Sequence, residues 1–395
     1  MKSLSLPGVE RVVDPFGQSR TLPAAAYIDE EILAWEKENI FRATWVCVGR
    51  LDELVGPGQI RAIEVAGESV LLARDPDGTA SAFSNVCRHR GHELAPIGNA
   101  IDARSIRCPY HAWSYRFDGS LRAAPTFAQT PGFDMSEFPL VPIRLAEFGG
   151  WGWIDLSGNT PDIRSHFGNL AEIIAPYDTD RIRTAAVHSY VVDSNWKVIV
   201  ENYNECYHCS SIHPELCEVT PPESGVDHQP TGMWVGGTMD LKPHAVTMSL
   251  DGASKGVNFP GVRGEMGRRV WYLTVTPNLL LSLHPDYVMT HRLAPLSAGQ
   301  THIECSWLFP PEAFELEGFD PAYAVDFWDI TNREDWTACE AVMRGMRNLG
   351  YRPGPLSSWE GTVYQFLAWV GHVYLGHGFV IPEVPVRSPL GHPGA

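Results

Sequence analysis

Two short segments constrain this chain more than any other feature: Cys87-Arg88-His89 and Cys108-Pro109-Tyr110-His111, with 18 residues between His89 and Cys108. Each lies between runs that read as strands, so each thiol–imidazole pair is carried by a loop. Two thiolates can hold one iron of a [2Fe–2S] cluster while two neutral imidazoles hold the other. Replacing thiolate by imidazole lowers the cluster's charge and raises its reduction potential. A Cys2His2 set can also hold structural zinc, but zinc modules usually pair Cys with Cys and His with His, whereas here the types alternate. His92 is off the pattern and reads as a polar loop residue.

From Trp45 to about Leu156 the chain shows short alternating runs separated by turn signals, among them Ala66-Gly67, Asp75-Pro76-Asp77-Gly78 and Asp118-Gly119-Ser120. These predict a small antiparallel β domain. Ahead of it, Asp29 is placed to cap a helix over Glu30–Phe41, with Leu33, Ile40 and Phe41 on one face. Gly158-Asn159-Thr160-Pro161 reads as the exit loop. Beyond it come longer strands, Arg269–Val275 and Thr301–Leu308, and a helix opened by Asp320-Pro321 that runs to about Asn348 with Gly350 past its end. The expected division is an N-terminal helical segment over residues 1–44 packed on the last domain, a β domain over 45–158 and a larger domain over 159–395, an α+β chain. Residues 361–382 carry no charge, but Gln365, His372, His377 and four glycines interrupt them, so they read as a buried core helix rather than a membrane span.

With 395 residues, 44% of them hydrophobic, the chain can build more than one core. A net charge of −17 argues against nucleic acid or anionic membrane as partners. The first residues lack the apolar run of a signal peptide, so a soluble, cytoplasmic protein is expected. The eight Cys then read as thiols or metal ligands rather than disulfides.

A second constellation follows, Glu205-x2-His208-x4-His213. Glu205 and His208 are spaced to share one face of a helix. His213 lies about 140° further round, but Pro214 disfavours helix at His213 and lets it swing back toward the same metal. Two His and one carboxylate are the ligand set of non-haem iron oxygenases. On the later helix, Trp328, Thr331, Asp335, Ala338 and Val342 make a stripe with Asp335 as its one charge, which a metal ion would compensate. Glu334 and Glu340 fall off that stripe. Cys206-x2-Cys209 could instead suggest a redox dithiol, but the βαβ context of such motifs is absent.

Four stretches carry a family resemblance. Cys87-Arg88-His89-Arg90-Gly91 and Cys108-Pro109-Tyr110-His111-Ala112-Trp113-Ser114-Tyr115 resemble the cluster loops of Rieske non-haem iron oxygenase α subunits, with Ala112 where many relatives have Gly. Residues 195–216 resemble the family's mononuclear iron segment, and Glu334-Asp335 followed by Glu340 its late carboxylate segment. The resemblance implies a Rieske [2Fe–2S] domain with a helix-grip (START-like) catalytic domain, an antiparallel sheet flanked by helices. It implies a cluster on Cys87, His89, Cys108 and His111, and a mononuclear Fe(II) on His208, His213 and Asp335. It further implies a head-to-tail homotrimer in which Glu205 joins His208 to His111 of the partner subunit.

Glu205-Cys206-Tyr207-His208-Cys209 looks like the branch acting on carnitine, glycine betaine and proline betaine. The implied activity is therefore that of a terminal oxygenase, using O2 to hydroxylate or N-dealkylate a quaternary ammonium substrate. Ring hydroxylation of an aromatic acid is the alternative within the family, and a Rieske electron carrier without oxygenase activity the alternative outside it. Tyr203 and Trp234 are candidates for cation–π contact with such a substrate. No G-x-G-x-x-G follows a strand and no flavin signature is visible, so NAD(P)H must be oxidised by a separate ferredoxin or flavin reductase. Six Arg between residues 87 and 122 (88, 90, 104, 107, 116 and 122) face Glu93, Asp102 and Asp118, and form a candidate docking patch for an acidic electron donor.

Overall fold

The alternating runs pair as antiparallel ladders in both halves of the chain. The computed structural model describes residues 2–385, and the chain divides into two units, Phe41–Ile163 and a second made of Met1–Ile40 with Arg164–Ala395. In the first, strands Trp45–Arg50, Trp151–Asp155, Pro142–Phe148, Ala80–Ser84, Glu68–Arg74, Gln59–Val65 and Ile101–Asp102 lie side by side in that order. Ala66-Gly67 makes the two-residue turn between Val65 and its partner Glu68. Both turn residues have positive φ, 51° and 83°, as the hairpin turn that matches strand twist requires. A smaller sheet of Ile106–Arg107, Ser114–Tyr115 and Leu121–Ala123 carries the second Cys–His loop on its first hairpin. Cys87 and Cys108 sit within this unit's hydrophobic core, beside Leu71, Phe83, Trp113 and Tyr115.

The other unit is built on a seven-stranded antiparallel sheet, ordered Arg183–Val192, Gln300–Phe309, Val288–Ser297, Leu279–Leu283, Arg269–Val275, Trp234–Asp240 and Val226–Asp227. Helices Trp196–Tyr203, Ala322–Met346 and Gly361–Tyr374 pack along it. The long helix begins at Ala322, where Asp320 accepts the amide hydrogen of Ala322. Every residue of Gly361–Tyr374 except His372 is buried, so the first part of the uncharged stretch is a core helix, while residues 375–382 run on as turn and coil. Among the described residues no helix is long and apolar enough to cross a membrane. The expectation for the cysteines needs one correction: Cys206 and Cys209 are joined as a disulfide, and the other six are in no disulfide. They are brought together by the tight turn that follows helix Trp196–Tyr203.

The N-terminal helix Glu30–Glu36 is capped by Asp29, whose carboxylate accepts from the Glu31 amide, and it continues as a wider turn over Lys37–Phe41. Its last residue reaches the heart of the unit. Glu36 pairs with Lys197 at 2.5 Å with both side chains fully buried. Glu36 also accepts from Trp196 Nε1 at 2.8 Å and from the Tyr374 hydroxyl. Burial lowers the Lys197 pKa, and the Glu36 charge opposes that. One carboxylate thus ties the N-terminal helix to Trp196–Tyr203 and to Gly361–Tyr374. Replacing Glu36 by Ala strands Lys197 without a counter-charge and is expected to destabilise the unit by about 3–5 kcal/mol, whereas Glu36→Leu combined with Lys197→Met costs much less. Urea unfolding of the two variants measures the difference.

Candidate metal centres

The two Cys–His loops share one backbone design. In the first, the Cys87 amide donates to His92 O at 2.8 Å and the Gly91 amide to Cys87 O at 3.0 Å. In the second, the Cys108 amide donates to Trp113 O at 2.8 Å and the Ala112 amide to Cys108 O at 3.2 Å. Each chain reverses through a residue four past its Cys with positive φ, 74° at Gly91 and 60° at Ala112. Ala112 therefore holds a conformation that glycine adopts more cheaply.

The loops bring His89 and His111 together, ring centroids 4.7 Å apart, with His89 stacked on Trp113 at 5.0 Å. Nδ1 of both imidazoles is buried without a hydrogen-bond partner. Buried polar atoms are rarely left so, and a metal bound at both nitrogens fits the pair. Tyr115 supports the thiol side. Its oxygen accepts from the Arg88 amide at 3.0 Å, which turns its own hydrogen toward Cys87 Sγ at 3.3 Å. Burial raises the Cys87 thiol pKa, so holding it as thiolate calls for a nearby positive charge, as iron would supply.

The second centre forms where helix Trp196–Tyr203 ends. Glu205 and His208 do not share a helix as their spacing suggested. The helix stops at Tyr203, and both residues lie in the turn before the short helix Cys209–Ile212. They meet nonetheless, because Glu205 folds back on the turn. One carboxylate oxygen accepts from the Tyr207 and His208 amides, and the other lies 2.5 Å from His208 Nδ1. The Cys206–Cys209 disulfide closes the same turn. His213 stands outside the helix at φ −120°, with Pro214 opening the next one, and its ring returns toward His208. The two Nε2 atoms are 3.2 Å apart. Asp335 Oδ1 sits 3.0 Å from that of His213 and 3.4 Å from that of His208.

The three candidate ligand atoms lie within 4.8 Å of one another, as three donors to one ion would. Burial alone would lower the two imidazole pKa values and raise the carboxyl. The neighbours win: Asp335 and Glu205 push His208 up to about 10, and the two imidazoles hold Asp335 down at about 2. Such a trio is built to surround positive charge.

The stripe that singled out Asp335 shifts along the helix. Trp328, Thr331, Asn332, Trp336, Cys339 and Met343 are buried, while Val342 is 45% exposed. Asp335 borders this ridge, so its carboxylate reaches the cavity rather than the core. Glu334, off the predicted stripe, meets His213 Nδ1 at 2.7 Å.

A cavity of about 100 Å³ opens beside the trio, lined by Tyr203, Tyr272, Trp328, Trp359 and Asp227 among others. Tyr203 shares a 2.8 Å hydrogen bond with Ser282. The Tyr272 ring lies 6.0 Å from that of Tyr203 and 6.3 Å from that of Trp328. Trp234 is not part of this lining. It is wholly buried and donates from Nε1 to Asn169 at 3.0 Å, so it is packing. The sequence reading missed Tyr272 and Trp328. The signal for Trp328 was its place on the stripe with Asp335; Tyr272, on a strand, had none.

Comparison with known proteins agrees with this geometry. Residues 44–139 match the family described as Rieske [2Fe-2S] domain, and residues 179–376 match ring hydroxylating alpha subunit (catalytic domain). The chain is 30% identical to the glycine betaine monooxygenase oxygenase subunit of Pseudomonas aeruginosa, over 89% of this chain and 88% of that protein. It is 38% identical to the carnitine monooxygenase oxygenase subunit of Escherichia coli K12, over 84% and 86%. Among solved structures, a quaternary ammonium Rieske monooxygenase superposes with a TM-score of 0.78 at 25% identity, covering 94% of this chain and all of the other. Naphthalene 1,2-dioxygenase from Rhodococcus shares the fold, with a TM-score of 0.73 at 19% identity over 90% of this chain and 94% of the other.

The Tyr115 contact makes a prediction. A hydrogen bond to a cluster sulfur raises its reduction potential, so Tyr115→Phe should give a cluster with intact visible absorption and a more negative midpoint in a redox titration.

Proposed function

The chain belongs to the Rieske ring-hydroxylating oxygenase family as a terminal oxygenase α subunit, and we propose that it hydroxylates or N-dealkylates a small quaternary ammonium compound of the betaine or carnitine kind. The observation that carries the substrate class is the cavity beside His208, His213 and Asp335. Tyr203, Tyr272 and Trp328 line it with aromatic surface, and Asp227 and Glu205 add carboxylates. A desolvated onium group gains about 2 kcal/mol or more over an aromatic face, and the carboxylates favour it further. The carboxylate of an aromatic acid would meet those same negative charges.

We assign Cys87 and Cys108 to one iron of the cluster, His89 and His111 to the other, and His208, His213 and Asp335 to the mononuclear iron. When bound, the cluster supplies single electrons and the mononuclear iron the O2 chemistry that oxidises a C–H bond. The chain's own contribution is placement. His208 and His213 present Nε2 toward Asp335, their Nδ1 atoms engaged by Glu205 and Glu334. The aromatic lining holds the substrate and excludes water. Glu205 is proposed as the joint between His208 and His111 of the partner subunit in a homotrimer, its ordered carboxylate anchored by backbone amides.

The test is a substrate panel with a surrogate reductase, NADH and O2. A betaine or carnitine should release formaldehyde or another aldehyde in step with oxygen uptake, and Asp335→Ala should lose this activity along with its mononuclear iron while keeping the cluster spectrum. A cis-dihydrodiol or catechol from an aromatic acid would overturn the substrate assignment.

Family members of this kind need a separate reductase, and we propose that it docks through the exposed Arg88, Arg90, Arg104, Arg107, Arg116 and Arg122. Attraction between exposed charges is screened within about 10 Å at 0.1 M salt. Cluster reduction by an acidic donor should therefore slow as salt rises, and Arg88→Glu with Arg116→Glu should flatten that dependence in stopped-flow traces.

A further inference from the structure

We propose that Glu334 is a positioning residue for the mononuclear iron: bound to Nδ1 of His213, it fixes that imidazole as an Nε2 ligand and strengthens the site's hold on the ion. This rests on the assignment of His208, His213 and Asp335 to the iron and adds a residue outside that set.

Glu334 Oε2 lies 2.7 Å from His213 Nδ1, while Asp335 Oδ1 lies 3.0 Å from Nε2 of the same ring. Consecutive helical residues point about 100° apart, so the two carboxylates bracket the imidazole from opposite nitrogens. A neutral imidazole carries one N–H. An acceptor at Nδ1 draws that hydrogen there and leaves the Nε2 lone pair for a metal. Bulk water does not reach the ring while Glu334 is in place, the His213 side chain being 1% exposed. Glu334 is 28% exposed, so its charge stays partly hydrated and costs little to keep. The charges also favour the assignment. A divalent ion on one Asp leaves the ligand set net positive, and Glu205 and Glu334 behind the imidazoles offset that excess. The two differ in origin. Glu205 belongs to the same turn as its histidine, whereas Glu334 comes from a helix 121 residues further on, so it also locks that helix to the loop.

The experiment is anaerobic equilibrium dialysis of Fe(II) into the full chain depleted of mononuclear iron, with near-ultraviolet circular dichroism and the urea unfolding midpoint as folding controls. Glu334→Ala should weaken Fe(II) binding by about 10- to 100-fold and alter the electron paramagnetic resonance of the nitrosyl Fe(II) adduct. Glu334→Gln, which keeps a carbonyl acceptor for Nδ1–H, should recover part of the affinity and a spectrum close to that of the unaltered chain. Glu340→Ala, on the same helix but bonded to the Asp193 amide, should change neither. If Glu334→Ala fails those folding controls, Glu334→Asp, one methylene too short to reach, is read the same way. Affinity and spectrum unchanged in the truncated variant, with Fe(II) binding lost in His213→Ala, would overturn the positioning role alone. Fe(II) binding retained in His213→Ala would overturn the site assignment beneath it.

Discussion

His213 is held at both ring nitrogens by neighbouring residues of a helix that lies more than a hundred positions further along the chain. That double contact is the constraint on which the catalytic unit turns. For Glu334 and Asp335 to bracket one imidazole, helix Ala322–Met346 must lie across the turn that carries His208 and His213. The sheet supplies the means. Trp328, Thr331 and Asn332 are buried on the same helix, and Asn332 Oδ1 is 2.9 Å from His291 Nε2 on strand Val288–Ser297. The helix is thus pinned to the sheet just before the point where it meets the imidazole.

The turn itself is over-determined. Glu205 takes two backbone amides and one imidazole nitrogen. The disulfide joins the residues on either side of Tyr207-His208, and Pro214 ends one helix by beginning another. Behind the turn, the Glu36–Lys197 pair anchors the preceding helix to the N-terminal segment. An ion pair buried this fully brings little net stability on its own, but leaving either member unpaired is costly. It therefore works as a registry device: the N-terminal helix has one place to sit, and helix Trp196–Tyr203 is held with it.

Much of this was legible in the sequence where the causes are local. The hairpin at Ala66-Gly67, the cap at Asp29 and the strand Arg269–Val275 follow from turn chemistry and alternation over a few residues, and they lie where the pattern puts them. The Pro214 break was legible for the same reason. What was not legible depends on tertiary contact. The spacing of Glu205 and His208 suggested a shared helical face, but a carboxylate that caps its own turn brings them together without one. Trp234 looked like a cavity aromatic because size and type say nothing of which way a strand residue points. Glu334 was set aside because it fell off a helical stripe, yet a side chain long enough to reach round its helix need not be on the stripe at all. The disulfide forms on the Cys206-x2-Cys209 spacing, closed by the turn and without a βαβ context.

The two centres place their donors by opposite strategies, and the difference follows from what each must do. Cys87, His89, Cys108 and His111 come from two loops of similar backbone design on one small unit, the two cysteines sunk in its hydrophobic core and the two histidines partly exposed beside them. That arrangement needs no distant element to complete it, and a ligand set supplied by one small unit suits a centre proposed only to pass electrons. The other trio draws donors from a turn and a remote helix, and leaves one side facing a cavity. A site assembled from distant parts is harder to hold, so it needs carboxylates behind its imidazoles, which the loops of the first unit do without. There the imidazole nitrogens left unpartnered are the Nδ1 atoms of His89 and His111. In the second unit those same atoms of His208 and His213 are the ones taken by Glu205 and Glu334, and Nε2 is turned to Asp335. The choice of nitrogen is thus set by where the chain can deliver a carboxylate, and only the catalytic unit delivers two.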